Sequence, residues 1–244
     1  MTPRVRLDHL TKVFGQLKAV DRLSLDLAPG EIFVFLGPNG AGKTTTIKML
    51  VGLLIPTSGS ITVDGMNLVD SPEEVKRIIG YVSDEPYLYE KLTGAEFMDF
   101  VGTLYGVLGD GFTTRRDRLL ALFQLDSAAD RLIETYSHGM RQRLVYASVF
   151  LHEPRLLVVD EPTVGLDPQG MRLVRSLFRK LADQGGTVLL STHVLPLAEA
   201  VADRIGIVHN GRLIACGTQE EIVRLQPESR SLEECFLRLV SASP

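Results

Sequence analysis

The sequence predicts an α/β fold: a mixed, mainly parallel sheet, with an antiparallel β subdomain attached and a helical subdomain inserted. Three observations predict it. Residues 32–36, 156–159 and 187–191 are short, almost wholly apolar runs, the pattern of strands buried on both faces. Residues 23–27 alternate apolar and polar side chains, as a half-buried strand does, and 60–65 read as a strand and a tight turn. From 87 to 151 strand-like runs vanish, and Phe97, Phe100, Val101 and Leu104, then Leu119, Leu120, Leu122 and Phe123, recur at helical spacing.

In order, 5–11 reads as a strand, followed by Phe14 ahead of a glycine turn. A ring there could stack on a purine or belong to the core. Pro29-Gly30-Glu31 turns into the first buried run. Gly37-Pro38-Asn39-Gly40-Ala41-Gly42-Lys43-Thr44 then matches G-x-x-x-x-G-K-[ST] at every fixed position, which makes the core of the P-loop NTPase kind. Glycines let the backbone approach a phosphate chain, and the N–H groups and the positive end of the following helix, read as 45–54, face the anion. Lys43 supplies a charge for the β- and γ-phosphates and Thr44 a hydroxyl for Mg²⁺, with Thr45 counted in the same ATP-binding set.

A turn at 56–59, a short polar helix at 72–78 and a strand at 79–83 follow, with Asp84-Glu85-Pro86 leaving that strand. Within the insertion 106–111 is a loop, and Arg115, Arg116 and Arg118 read as a solvated helix face. Tyr136-Ser137-His138-Gly139-Met140 closes it and opens a helix at about 141–151. The second buried run ends on Asp160-Glu161-Pro162. A carboxylate at the end of a buried strand beside a phosphate loop can hold Mg²⁺, and one residue later Glu161 could polarise an attacking water. Asp160 would be close to buried and needs a cation partner. Gly165-Leu166-Asp167-Pro168 turns into a helix to about 182. The third run ends at Thr192-His193. A helix at 195–202, a hairpin at 204–215 turning on Asn210-Gly211, and helices at 219–225 and 232–240 complete the chain.

At 244 residues the chain can bury a large core. A net charge of −4 gives no basic field for nucleic acid, and none is expected as a partner. Cys216 and Cys235 form no C-x-x-C pair and read as inert thiols. Residues 1–10 lack the order of a signal peptide, and no apolar run approaches the ~18–20 residues that span a bilayer. Any membrane role is therefore expected to come through a partner.

Taken together, the phosphate loop, Ser137-His138-Gly139-Met140, Asp160-Glu161, Gly165-Leu166-Asp167 and Thr192-His193 resemble the nucleotide-binding subunit of an ATP-binding-cassette (ABC) transporter. The resemblance spans about residues 5–225, with all motifs in family order. It implies an ATP-binding core with β subdomain (1–86 and 152–225), a helical subdomain carrying the signature motif (87–151) and a short C-terminal tail (226–244), too short for the large regulatory domain of some relatives. It implies Phe14 against adenine, Glu161 and His193 as catalytic groups, and Mg²⁺ at Thr44, Asp84 and Asp160. Ser137, His138, Gly139, Met140 and Asp167 would meet the ATP of a partner subunit, either a second copy or a paralogous cassette. The implied protein is an ATPase on the inner face of the cell membrane, held there by a transmembrane permease docking near 84–100, where Tyr87, Leu88, Tyr89 and Leu92 offer apolar surface or subdomain core. The signature variant resembles a bacterial exporter branch, so export is expected. Asp84 stands where the family usually has glutamine and should make nucleotide binding more metal-dependent. A soluble cassette acting on nucleic acid or ribosomes, and a non-catalytic regulatory subunit, are the alternatives; the former usually carries two cassettes or a coiled coil, and the latter does not need Glu161 and His193.

Overall fold

A computed structural model describes residues 2–85, 87–107, 109–162, 165–226, 229 and 231–242. Pro86, read as leaving the strand at 79–83, and the tail residues 227, 228, 230, 243 and 244 lie outside them, as does 108 in the 106–111 loop.

The first sheet is antiparallel. Strand β1 (Val5–Phe14) lies between β2 (Leu17–Leu27) and β4 (Ser58–Val63), and β5 (Met66–Asn67) completes it. In the second sheet β3 (Ile32–Leu36), β6 (Ile79–Val82), β7 (Leu156–Asp160), β8 (Thr187–Thr192) and β9 (Arg204–His209) run parallel, and β10 (Arg212–Gly217) pairs antiparallel with β9 at the edge. The spatial order is β10-β9-β3-β8-β7-β6.

The apolar runs work by period two. Phe33, Phe35, Val158 and Leu189 face one core, shared with the antiparallel sheet and helix α1 (Lys43–Leu50). Ile32, Val34, Leu36, Val159 and Leu190 face the other, shared with α5 (His138–Phe150) and α6 (Pro168–Asp183). Residues covered on both sides leave no solvent face for polar alternation, which is why the middles of these strands read as apolar runs, with buried polar residues only at the strand ends: Thr187, Ser191, Thr192 and Asp160. Around them stand α2 (Pro72–Arg77), α3 (Gly94–Tyr105), α4 (Phe112–Leu122), α7 (Leu195–Val201), α8 (Gln219–Arg224) and α9 (Leu232–Ala242).

Several boundaries move from those expected. The first helix starts at Lys43, not 45, and ends at Leu50, because Gly52 turns the chain at φ +71°. β4 takes in Ser58 and Gly59, expected as a turn: Gly59 sits where a Cβ would lie 2.6 Å from the carbonyl oxygens of Asp8 and His9 on β1. The helix expected from 141 starts at His138, with Ser137 as its cap. The three arginines of α4 are not one solvated face. Arg115 pairs with Glu153 at 2.6 Å, Arg116 with Asp99 at 2.8 Å and with Asp117 at 2.9 Å, while Arg118 is exposed.

Because β3, β6, β7 and β8 run parallel, the residues that follow their carboxyl ends emerge along one edge of the sheet. Those residues are Gly37, Asp84, Glu161 and His193. In open α/β sheets this is the edge where ligands bind.

Candidate nucleotide-binding and hydrolysis site

The phosphate loop joins the end of β3 to the first turn of α1. Two of its glycines are forced by close backbone approach. At Gly42 φ is +103° and a Cβ would lie 2.5 Å from the Ala19 carbonyl oxygen; at Gly37 it would lie 2.3 Å from that of Val208. Asn39 and Gly40 form the exposed tip. Lys43 is only 6% exposed, and its Nζ donates to Gly37 O at 2.7 Å and Pro38 O at 3.1 Å. Burial lowers its pKa, and the charges of Glu161 and Asp160 oppose that shift. The ammonium is therefore stationed inside the loop within electrostatic range of both carboxylates.

Asp160 ends β7 and is 1% exposed. The Ser191 hydroxyl donates to its Oδ1, whereas its buried Oδ2 has no hydrogen-bond partner. Desolvation pushes its pKa up, the hydroxyls of Ser191 and Thr44 pull it down, and the charges of Asp84 and Glu161 push it up again. A buried carboxylate oxygen with no donor, beside a threonine hydroxyl, is a hard-oxygen environment suited to a divalent cation. This set fits Mg²⁺, which takes one or two protein oxygens and fills the rest of its shell with water and phosphate. Among the described residues no group of three or more His, Cys, Asp or Glu side chains is clustered to hold a metal by itself.

A stability consequence follows from Asp160. Its folded-state pKa lies above the unfolded one, so folding favours the protonated form. That contribution is present below the ordinary carboxylate range and is lost as pH rises through the folded value. In EDTA, Asp160→Asn should melt with wild type at low pH and above it at neutral pH, by about 2–4 °C if the relief is roughly 1 kcal/mol. Melting curves across pH check this; a gap that stays constant or closes with rising pH refutes it.

Glu161 follows Asp160 on a sharp turn. Its φ is +52°, a left-handed value that strains a residue with a Cβ, and its N–H donates to Ser191 O at 3.1 Å. Its Oε1 lies 3.0 Å from His193 Nδ1, and Thr192 Oγ1 donates to Oε2 at 3.4 Å. The ends of adjacent strands β7 and β8 thus hold a carboxylate and an imidazole together. Asp84, past β6, is exposed; its Oδ1 accepts from Glu85 N at 3.0 Å, and its charge adds a little to the upward pKa shifts that burial gives Asp160 and Tyr81.

Phe14 sits at the tip of the β1–β2 hairpin, 46% exposed, with Lys12 Nζ 5.0 Å from its ring centre. It is not a core residue. The same β2 strand presents Ala19 to Gly42, which anchors the hairpin beside the phosphate loop.

The signature residues form a second group. Ser137 caps α5, its Oγ accepting from Met140 N at 3.3 Å. A Cβ on Gly165 would lie 2.6 Å from His138 Nε2, and one on Gly139 would lie 3.1 Å from Gly165 O. Asp167 caps α6, its Oδ1 accepting from Gly170 N at 2.6 Å. Ser137, His138 and Asp167 are exposed. Among the described residues no hydrogen bond or ion pair joins this group to Lys43, Thr44, Asp160 or Glu161.

Some features were not legible in sequence. His152 stacks on Tyr105 with ring centres 3.8 Å apart, and its Nε2 lies 3.1 Å from Ile79 O. Burial drives its pKa down to about 4, so the ring is neutral at neutral pH. With Asp84 and the 88%-exposed Tyr87 it lines a cleft of about 530 Å³. These residues come from three separate segments, so no spacing could signal them. Gln142 is fully buried with both amide atoms unpartnered, as is the Tyr146 hydroxyl one turn on; polar residues at i and i+4 on the buried face of α5 were a signal available in sequence.

The profile of the ABC transporter family matches residues 20–164. The chain is 37% identical over 241 residues to YbhF of Escherichia coli (strain K12), a probable multidrug ABC transporter ATP-binding protein; the match covers 97% of this chain and 41% of YbhF, so the chain spans under half of that relative. It is 42% identical over 221 residues to DrrA of Streptomyces peucetius, a daunorubicin/doxorubicin resistance ATP-binding protein, covering 91% of this chain and 67% of DrrA. The solved structure of an ATP binding subunit of an ABC transporter superposes with a TM-score of 0.91 at 33% identity, covering 96% of this chain and 98% of that one. The cassette MJ0796, a dimer in a post-hydrolysis state bound to ADP and Pi, superposes with a TM-score of 0.80 at 25% identity, covering 88% and 98%. With its phosphate loop, its strand-end carboxylates and its mixed sheet, this chain belongs to the ABC transporter family, as one of its ATP-binding proteins.

Proposed function

We propose that the chain hydrolyses ATP and that closure of a cassette dimer over the nucleotide drives an exporter. The observation that carries this reading is the meeting of Lys43, Asp160 and the Glu161–His193 pair at the carboxyl edge of the parallel strands. Lys43 and the loop amides would bind the phosphates, and Phe14 would stack on the base. Thr44 and Asp160, with Asp84 near, would hold Mg²⁺, which when bound offsets charge on the phosphate oxygens. Glu161 would take a proton from, or orient, the attacking water, with His193 fixing its carboxylate.

The signature group, with Ser137, His138 and Asp167 exposed and Gly139 and Met140 partly buried, has no hydrogen bond or ion pair to the phosphate loop of its own chain among the described residues. A hydroxyl, glycine amides and the N-terminus of a 13-residue helix suit an anion supplied from elsewhere, here the γ-phosphate held by a second copy or a paralogous cassette. The MJ0796 dimer supports such an arrangement.

No helix among the described residues is long and apolar enough to cross a membrane. Attachment to the inner face of the cell membrane would come through a permease subunit. Tyr87 and Tyr89 are 88% and 60% exposed, while Leu88 and Leu92 pack on the core, so the tyrosines form the apolar part of that docking surface. The drug-related names of YbhF and DrrA favour export. Residues 1–86 and 152–225 would act as the ATP-binding core, 87–151 as the arm that carries the signature, and 226–244 as the tail. Phosphate release from the purified chain tests the activity: release with Mg²⁺-ATP that stops in EDTA is expected, and no release under either condition, in the presence of bound nucleotide, overturns it in favour of a regulatory subunit.

A further inference from the structure

A cleft of about 830 Å³ opens between α4 and the C-terminal half of α6. It is not the nucleotide site. Its wall includes Arg155, which precedes β7, and Gly186, which precedes β8, so it lies at the amino edge of the parallel strands, opposite the phosphate loop. Its volume is that of a small-molecule pocket.

The lining is two-sided in character. Leu119, Leu122, Phe150, Leu177 and Leu181 supply apolar surface, and Leu122 is 40% exposed. Arg4, Arg115, Arg118, Arg155 and Lys180 supply cations. Arg4 and Arg155 share Asp64, and Arg115 pairs with Glu153 at 2.6 Å. Neither Arg118 nor Lys180 has a carboxylate within 4.0 Å among the described residues, and both are exposed. Five cations against two carboxylates make a positive cleft on a chain whose net charge is −4. Arg118 stands one residue before Leu119 on α4, and Lys180 one before Leu181 on α6, so each free cation borders the apolar floor.

We propose that this cleft binds a small anionic amphiphile, a carboxylate or phosphate headgroup on a hydrocarbon body. The hydrocarbon covers the leucines and Phe150, and the headgroup meets Arg118 and Lys180. Long cationic side chains lay their stems on apolar surface and hold the charge at its rim, which suits such a ligand. A headgroup of this kind can come from a free amphiphile or from a bilayer lipid; a cleft of about 830 Å³, the size of a small-molecule pocket, favours the free molecule.

The probe is dodecyl phosphate below its micelle concentration, titrated calorimetrically into the full chain saturated with Mg²⁺-ADP. Saturable one-to-one binding is expected, with dodecyltrimethylammonium, which has the same tail and the opposite charge, failing to bind. Arg118→Gln with Lys180→Gln should weaken binding roughly tenfold per cation, the worth of one charge-assisted hydrogen bond, while ADP affinity and the circular dichroism spectrum stay unchanged. Leu122→Asn should weaken it separately through the floor. Binding equal for the two head charges, binding displaced by ADP, or binding indifferent to both variants overturns the proposal. So does binding confined to phosphatidylglycerol vesicles, which would make the cleft a membrane contact.

Discussion

Glu161→Gln is expected to bind Mg²⁺-ATP as tightly as wild type, to release phosphate roughly 10²–10⁴ times more slowly, and to accumulate as an ATP-bound dimer. The substitution is nearly isosteric. It keeps an oxygen for the Thr192 hydroxyl and leaves the strained turn at φ +52° to be held by the same bond from its own N–H to Ser191 O. What it removes is the negative charge and the capacity to take a proton. Asp160 keeps its place beside Thr44, so metal and phosphate binding should survive. If hydrolysis is what reopens the dimer, blocking it shifts the population to the closed state. Light scattering coupled to size exclusion, with and without ATP, reads this directly. A variant that hydrolyses at the wild-type rate removes Glu161 from the chemistry; one that loses hydrolysis yet stays monomeric at saturating ATP removes the dimer from the mechanism.

Lys43→Ala is expected to lose nucleotide affinity by roughly 10–150-fold, the range for a charge-assisted hydrogen bond of about 1.5–3 kcal/mol. The reason lies in its surroundings. Lys43 is buried against loop carbonyls, with its charge disfavoured by desolvation and supported only by Glu161 and Asp160 at longer range. An incoming phosphate offers the ammonium a far better partner than it has in the loop. Thermal shift separates the two roles of the residue. Saturating Mg²⁺-ADP should raise the melting temperature of wild type by ligand linkage and raise that of Lys43→Ala by less at the same concentration, the gap corresponding to about 1.5–3 kcal/mol of lost binding. Equal ligand-induced shifts for both proteins would remove Lys43 from phosphate binding.

The other readings divide by the range of the interaction. Ser137 and Asp167 proved to be helix caps, which is a local property: each side-chain oxygen accepts from a backbone N–H three residues on. Phe14 could not be assigned from its neighbours, because exposure at a hairpin tip depends on how the β1–β2 pair meets the rest of the fold. The arginines of α4 failed as a single solvated face for a similar reason. Glu153, the partner of Arg115, comes from beyond α5.

By itself the sequence determined the central buried strands, since a segment covered on both faces is apolar along most of its length, and it determined the phosphate loop, whose fixed residues fall in one consecutive run from Gly37 to Thr44; the close approaches that require glycine at 37 and 42 come from Val208 and Ala19, which only the fold brings there. It also determined that Asp160 would be buried. Only the tertiary structure decided which strand ends lie side by side, and hence that Glu161 meets His193 across 31 intervening positions, while Ser137 is exposed at the start of α5 with Met140 N on its hydroxyl. It alone decided that basic side chains from α4, α6 and the strand starts ring one apolar cleft. Periodicity and motif spacing act between near neighbours in the chain, whereas close packing, electrostatic fields and clefts depend on residues that only the fold brings together.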